Sequence, residues 1–453
     1  MSNLWFETAL LPGGWAKSVR IRHNGGVIVA VEQGVPLDAG DERHAIGVPG
    51  MPNLHSHAFQ RGMAGLAETS GPAADDFWTW REVMYRFLDH MTPDDLEAIS
   101  AFAFAEMLEA GFTRVGEFHY VHHDAAGRPY AQIGELSSRI AAAAAETGIA
   151  LTLLPVFYAH ADFGGVAPKP GQRRFINDVD GFAALHAAAA EAIKPLPGAR
   201  IGVAPHSLRA VTPDELAAVI PLAADGPIHI HAAEQWREVD ACHAWSGQRP
   251  VEWLLNHAPV DPRWCFIHAT HLTPEETLAL ARSGAVAGLC PITEANLGDG
   301  VFPAADFLAA HGRFGVGTDS NIHVDAAGEL RALEYAQRLA RRQRNVLAGA
   351  PFSSTGARLY RDALAGGSQA LGVENAGIAV GGATDLVSLN ADHSVFIGRS
   401  GDALIDGWIF TAGAQAVDCV WRAGEKLVEQ GRHRRSEALT AAYRRTLARL
   451  LSL

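Results

Sequence analysis

The chain has 453 residues, 48% of them apolar and 19% charged, a length that can bury a large core and a balance that excludes wholesale disorder. Lys+Arg number 37 against 50 Asp+Glu, a net charge of −13, which argues against a nucleic-acid-binding surface. Cys242, Cys265, Cys290 and Cys419 form no CxxC pair, so neither a disulfide framework nor a thiol zinc site is expected, and a reducing, cytoplasmic location is.

The opening MSNLWFETALLPGG lacks the basic start of a secretory signal. Residues 1–43 hold a β-like piece, SVRIRHNGGVIVAVEQG, with an Asn24-Gly25 hairpin signal. Eight apolar runs then read as strands, at 44–52, 112–118, 149–158, 200–205, 227–231, 263–268, 285–290 and 313–318. The run at 149–159 is interrupted by Pro155 and is too short to span a bilayer, so no membrane partner is expected. Amphipathic segments between the strands read as helices at 93–110, 134–147, 179–193, 213–224, 236–243, 249–257, 273–283 and 303–311. Three of them start alike, at Thr92-Pro93-Asp94-Asp95, Thr212-Pro213-Asp214-Glu215 and Thr273-Pro274-Glu275-Glu276. Each offers a capping hydroxyl, a first-turn proline and acids that suit the helix dipole. Two more helices are expected at 329–347 and 356–371, the first with a solvated arginine face, and residues 383–428 are again β-like.

Alternating strands and helices imply an α/β protein with a parallel sheet and right-handed crossovers. No GxGxxG or GxxxxGK[ST] loop follows any strand, so a (β/α)8 TIM-type barrel is favoured over an open nucleotide-binding sheet. Neither chain end has enough strands to bury a face alone. The two ends are therefore expected to combine into a small β-sandwich-like domain, 1–46 with 376–430, flanking a barrel at 47–375 and followed by a C-terminal helix at 431–453.

Sites in such barrels lie at the C-terminal ends of the strands. His55 and His57 alternate on one side of the first strand, His231 ends the fifth, His268 the sixth, and Asp319 the eighth. Three imidazoles and a carboxylate suit zinc or iron, with a position left for water. Arg81, in the Trp-rich segment DFWTWREVMYRF, and Arg209, after the fourth strand, suit a ligand with two carboxylates, since guanidinium pairs with carboxylate bidentately.

These residues resemble those of the metal-dependent amidohydrolases of the deaminase type. The likeness covers nearly the whole chain, through PNLHSHAFQRG (52–62), HIHAAEQ (229–235), IHATHL (267–272), GVGTDSN (315–321) and VWRAGEKLVEQGRH (420–433). It implies that His55, His57, His231 and Asp319 bind one divalent metal, Zn2+ first and Fe2+ second, that Glu234 shuttles protons and that His268 assists. Two-metal relatives use a carboxylated lysine, but the four lysines here (Lys17, Lys169, Lys194 and Lys426) include none at a strand end. Such a cation brings the pKa of bound water near neutrality, so hydroxide is expected to attack the electrophilic carbon while Glu234 carries a proton to the leaving nitrogen and Asp319 accepts one. The segment CPITEANLGDGVFP (290–303) closely resembles that of the formimidoylglutamate deiminases of histidine breakdown. It implies hydrolysis of N-formimidoyl-L-glutamate to N-formyl-L-glutamate and ammonia, with Gln60, Arg81, Tyr120, His206 and Arg209 contacting the substrate, in a homodimer. The alternative is a purine-type deaminase, acting on guanine or a modified adenosine. For His119, His122, His123, His160, His271 and His323 a core or surface role is expected.

Overall fold

A computed structural model describes residues 2–70, 75–374 and 377–452, so the domain boundary expected at 375/376 lies outside the described residues. Four strands open the chain: β1 (Ser2–Leu11), β2 (Gly14–Asn24), β3 (Val27–Glu32) and β4 (Asp41–Pro49). Nine short strands follow: β5 (Met51–Ser56), β6 (Phe112–His119), β7 (Ala150–Phe157), β8 (Arg200–Ile201), β9 (Ala204–Pro205), β10 (Ile228–Ala232), β11 (Trp264–His268), β12 (Val286–Leu289) and β13 (Arg313–Val316). The last four are β14 (Leu386–Leu389), β15 (Val417–Arg422), β16 (Glu425–Glu429) and β17 (Arg432–His433).

Both chain ends join in a single eight-stranded sheet, ordered β17-β16-β15-β14-β4-β1-β2-β3. Its seam is the antiparallel pair β4–β14, with Val48 opposite Val387. The Asn24-Gly25 signal falls at the β2–β3 hairpin, where Gly25 and Gly26 take the positive φ angles of 56° and 84° that favour glycine.

The middle strands pair in parallel, as β5-β6-β7-β8 with β9 on β7, and as β10-β11-β12-β13. Parallel bridges Val203–Ile228 and Ser207–His231 connect the first set to β10, and Ser56–Asp319 connects the segment after β13 back to β5. Every residue of β5, β6, β7, β10, β11 and β12 is buried, as expected for parallel strands covered on both faces.

Expectation and structure differ at several elements. The run 44–52 is two strands, not one: it ends in the terminal sheet at Pro49 and restarts in the parallel set at Met51. Gly50 permits the transfer, because a Cβ there would lie 2.2 Å from Thr113 Cγ2. Residues 76–87 fall in a helix, Phe77–Leu88, capped by Asp76 with a reciprocal bond from Thr79. The C-terminal stretch splits into β17 and a helix, Ser436–Leu450, whose Tyr443 stacks on Phe102 of helix Pro93–Glu109 at 4.0 Å. All three Thr-Pro starts form capping boxes, closed by Asp95, Glu215 and Glu276. Among the described residues no helix is long and apolar enough to cross a membrane.

Candidate active site

The C-terminal ends of the parallel strands share one buried floor. Thr318 N and Asp319 N both donate to His55 O, and His57 N donates back to Asp319 O, which ties the end of β5 to the segment after β13. Ala233, His268 and Asp319 hold positive φ angles of 53°, 67° and 46°. Such values are unfavourable for residues with a Cβ and concentrate at functional sites.

Three imidazoles converge through one nitrogen each. His55 Nε2 lies 3.2 Å from His57 Nε2 and 3.2 Å from His231 Nε2. Asp319 Oδ1 is 3.2 Å from His57 Nε2 and 3.5 Å from His55 Nε2. His57 Nδ1–H donates to Phe118 O at 2.9 Å and His231 Nδ1–H to His206 O at 3.1 Å. A carbonyl can only accept, so in both rings the Nδ1 carries the proton and Nε2 presents a lone pair to its neighbours. Burial holds all three imidazoles below their usual pKa, His55 down to about 3. Neutral lone pairs facing one another repel unless a cation lies between them, and a tetrahedral ion with Zn–N near 2.0 Å spaces its ligands about 3.3 Å apart. The donor set fits a divalent cation.

Glu234 and His268 border this cluster. His268 Nε2 is 3.7 Å from Glu234 Oε1 and 3.9 Å from Asp319 Oδ2. Burial pushes the Glu234 carboxyl up to about 7, against the pull of His268 and Arg209. Burial acts in the opposite sense on His268, but Glu234, Glu294 and Asp319 outweigh it and raise the imidazole to about 10. Glu238 accepts from Ala233 N at 3.2 Å and from Glu234 N at 3.0 Å, so the strained turn that presents Glu234 is fastened to the helix after it.

Above the floor lies a cavity lined by His57, Gln60, Arg81, Tyr120, His206, Arg209, His231, Glu234, His268 and Asp319. His55 is fully buried beneath it. The structure thus gathers every residue singled out from the sequence. Arg81 arrives on helix Phe77–Leu88 and Arg209 on the turn after β9. Their guanidinium carbons lie 4.4 and 5.3 Å from the Trp78 ring, close enough for cation–π attraction. Among the described residues the Nε atoms of both arginines are buried without a hydrogen-bond partner, and Glu234 Oε2 lies 3.9 Å from Arg209 Nη2. Gln60 Nε2 donates to Tyr120 Oη at 2.7 Å, while Gln60 Oε1 has no partner among the described residues. His206 is held well below its usual pKa by burial and by the neighbouring Arg209 charge.

Several residues at the site were not singled out from the sequence. Trp80, Tyr85, Tyr158 and Phe175 wall the cavity, and Gln172, from the irregular 160–177 loop, donates to Tyr158 Oη at 2.7 Å. Only the aromatic richness of 76–87 hinted at part of this wall. Lys169 begins a 3-10 turn and Lys194 pairs with Glu191 at 2.5 Å; neither lines the cavity. His122 and His123 bond to Val156 O and Ile176 O, a structural use.

Comparison with known proteins agrees with this geometry. Residues 46–427 match the Amidohydrolase family, and residues 1–45 match the N-terminal domain of formimidoylglutamate deiminase HutF. The chain belongs to the amidohydrolase family. It is an enzyme, a hydrolase acting on C–N bonds. A formimidoylglutamate deiminase of Pseudomonas aeruginosa is 49% identical over 453 residues, covering 100% of both chains. A 5-methylthioadenosine/S-adenosylhomocysteine deaminase of Natronomonas pharaonis is 28% identical over 365 residues, 78% of this chain and 75% of that one. Among solved structures, an amidohydrolase from Brucella melitensis superposes with a TM-score of 0.97 at 54% identity, covering 100% of both chains. An adenosine deaminase from Xanthomonas campestris, solved with bound zinc, shares the amidohydrolase fold at a TM-score of 0.82 and 22% identity, over 100% of this chain and 98% of that one.

Proposed function

We propose that this amidohydrolase hydrolyses N-formimidoyl-L-glutamate to N-formyl-L-glutamate and ammonia, a step of histidine degradation. The observation that carries the reading is the pair of guanidiniums, Arg81 and Arg209, facing one cavity with buried and unpartnered Nε atoms. Leaving such donors unsatisfied is costly, and two carboxylates on one small ligand would satisfy both. A purine offers no such anions. The 49% identity with the Pseudomonas aeruginosa deiminase supports the same substrate.

His55, His57, His231 and Asp319 would hold one divalent cation, zinc first and iron(II) second. When bound, it supplies Lewis acidity that makes water a competent nucleophile near neutral pH. The substrate's carboxylates lie on Arg81 and Arg209, and Gln60, Tyr120 and His206 contact the chain between those anchors and the formimidoyl group. Asp319 takes a proton from the attacking water. Glu234, with a pKa near 7, passes a proton to the terminal nitrogen. His268 donates through Nε2 toward the reacting carbon's new oxygen. Water adds to the C=N carbon; the terminal nitrogen takes one proton from Glu234 and, as its bond to carbon breaks, a second, the one Asp319 accepted. It leaves as ammonia while the hydroxyl returns its proton to Glu234 and a formyl C=O remains.

The circuit of parallel pairings and bridges supports a (β/α)8 barrel at 47–375. The shared terminal sheet supports a composite domain of 1–46 with 376–430, followed by the terminal helix. A cytoplasmic homodimer acting on a small dicarboxylate, without nucleic-acid or membrane partners, completes the reading; light scattering at the mass of two chains would support that state, and one chain would refute it. Ammonia release from formimidoylglutamate, guanine and adenosine analogues by the zinc-loaded enzyme tests the reaction. Turnover confined to formimidoylglutamate is expected, and turnover confined to a purine would overturn the proposal.

A further inference from the structure

The segment 290–303 contributes more than a resemblance. Its residues Pro291–Leu297 form a short helix that starts at Cys290, directly after β12. Glu294, in the first turn of that helix, is buried and turns its carboxylate inward. One oxygen, Oε1, accepts from Cys290 N at 2.8 Å and lies 3.3 Å from His268 Nδ1. The opposite nitrogen of the same ring, Nε2, faces Glu234 and Asp319.

Accepting from the backbone N–H of the residue before the helix is a local duty that a first-turn Glu or Gln can perform. Here the same oxygen also reaches a buried imidazole, which the helix start alone does not require. An ionised carboxylate only accepts hydrogen bonds, so Glu294 requires the proton on Nδ1 and fixes the plane of the ring. His268 has no other side-chain or backbone partner at Nδ1 among the described residues, and its backbone is held in the left-handed region at φ 67°. Without Glu294, Nδ1 would be an unpaired polar atom in a fully buried site, and rotation of the ring would withdraw Nε2 from the cavity.

We propose that Glu294 is a positioning residue for the hydrolysis, acting through His268: by accepting from Nδ1–H it holds the ring in the orientation that directs Nε2–H at the reacting group. The inference rests on the deiminase reading for its kinetic test. It follows the logic by which a carboxylate orients a working imidazole in other enzymes.

Both contacts share Oε1, so Glu294→Gln keeps a neutral acceptor for Cys290 N and for Nδ1–H and removes only the charge that strengthens the second bond, whereas Glu294→Leu removes the acceptor altogether. In the zinc-loaded enzyme, Glu294→Gln is expected to lower kcat by about tenfold or more with KM and zinc content unchanged. In a His268→Asn background the same change should cost nothing, because the two residues act as one unit. Equal kcat for wild type and Glu294→Gln, or an undiminished loss in the His268→Asn background, would overturn the proposal. A second measurement needs no substrate: ¹⁵N-histidine-labelled enzyme should show a hydrogen-bonded, slowly exchanging Nδ1–H that disappears in both His268→Asn and Glu294→Leu. Persistence of that signal in Glu294→Leu would also refute the pairing. Wild-type enzyme inactive on formimidoylglutamate would refute the substrate assignment and leave the spectroscopic result to decide the role of Glu294.

Discussion

Glu234 lies where burial makes a carboxyl exchange its proton near neutral pH, at a pKa of about 7, within 3.7 Å of His268. Replacing it with glutamine should lower kcat by about 10²–10⁴-fold, the usual contribution of a positioned proton carrier, with zinc content unchanged. Steady-state kinetics paired with metal analysis checks this, and a near-native kcat would remove Glu234 from the proton path. Arg209 acts differently, as an anchor remote from the reacting bond. Arg209→Ala should raise KM at least about tenfold and change kcat less, since binding common to ground and transition states is lost; an unchanged KM would place the carboxylates elsewhere. At this scale the histidines and Asp319 were legible because strand alternation and strand ends constrain where such side chains point. Glu294, Glu238 and Tyr158 were not. Their partners, His268 Nδ1, Glu234 N and Gln172, are reached by tertiary approach and leave no periodic trace in the sequence.

Among the elements, helix Thr355–Ala370 meets β13 without side chains between them. A Cβ on Gly366 would lie 1.9 Å from Phe314 O, and one on Gly315 would lie 2.7 Å from Gly367 N. Gly366→Ala should therefore lower the thermal midpoint by several degrees despite alanine's better helix propensity; a neutral or higher midpoint in a thermal-shift assay would contradict this close packing. Thr273→Ala removes a capping oxygen and should cost about 1 kcal/mol, read as a lower urea midpoint. The three Thr-Pro starts could be read directly because capping is a local matter of neighbouring residues. The division of 44–52 at Gly50 could not, since both halves are apolar and only the approach of Thr113 distinguishes them.

For the whole molecule, the converging donors link the end of β5, the end of β10 and the segment after β13, so a bound cation would tie together strands distant in sequence. Chelation should lower the thermal midpoint and abolish activity, with both restored by Zn2+; a midpoint indifferent to chelator would count against the site. Protons act on stability at Glu117, whose carboxyl is pushed up to about 8 by burial, against hydrogen bonds from Ala58 N and Ser56. An acid with a raised folded-state pKa releases its proton first in the unfolded chain. Its contribution is therefore full below about 4.5 and is lost as pH rises through about 8. Glu117→Gln should flatten the fall in stability across that window, and an unaltered pH profile of the thermal midpoint would contradict it. The sequence by itself determined the alternation of strands and helices, the local caps and hairpin, and the candidate ligands at strand ends, because each depends on neighbours or on a short period. Tertiary structure alone decided which buried polar atoms find partners, where the Nε atoms of two arginines are left without an acceptor among the described residues, and which acid stands behind which imidazole. Those are outcomes of three-dimensional approach between residues far apart in the chain, and only folding brings the atoms close enough for their charges and hydrogen bonds to matter.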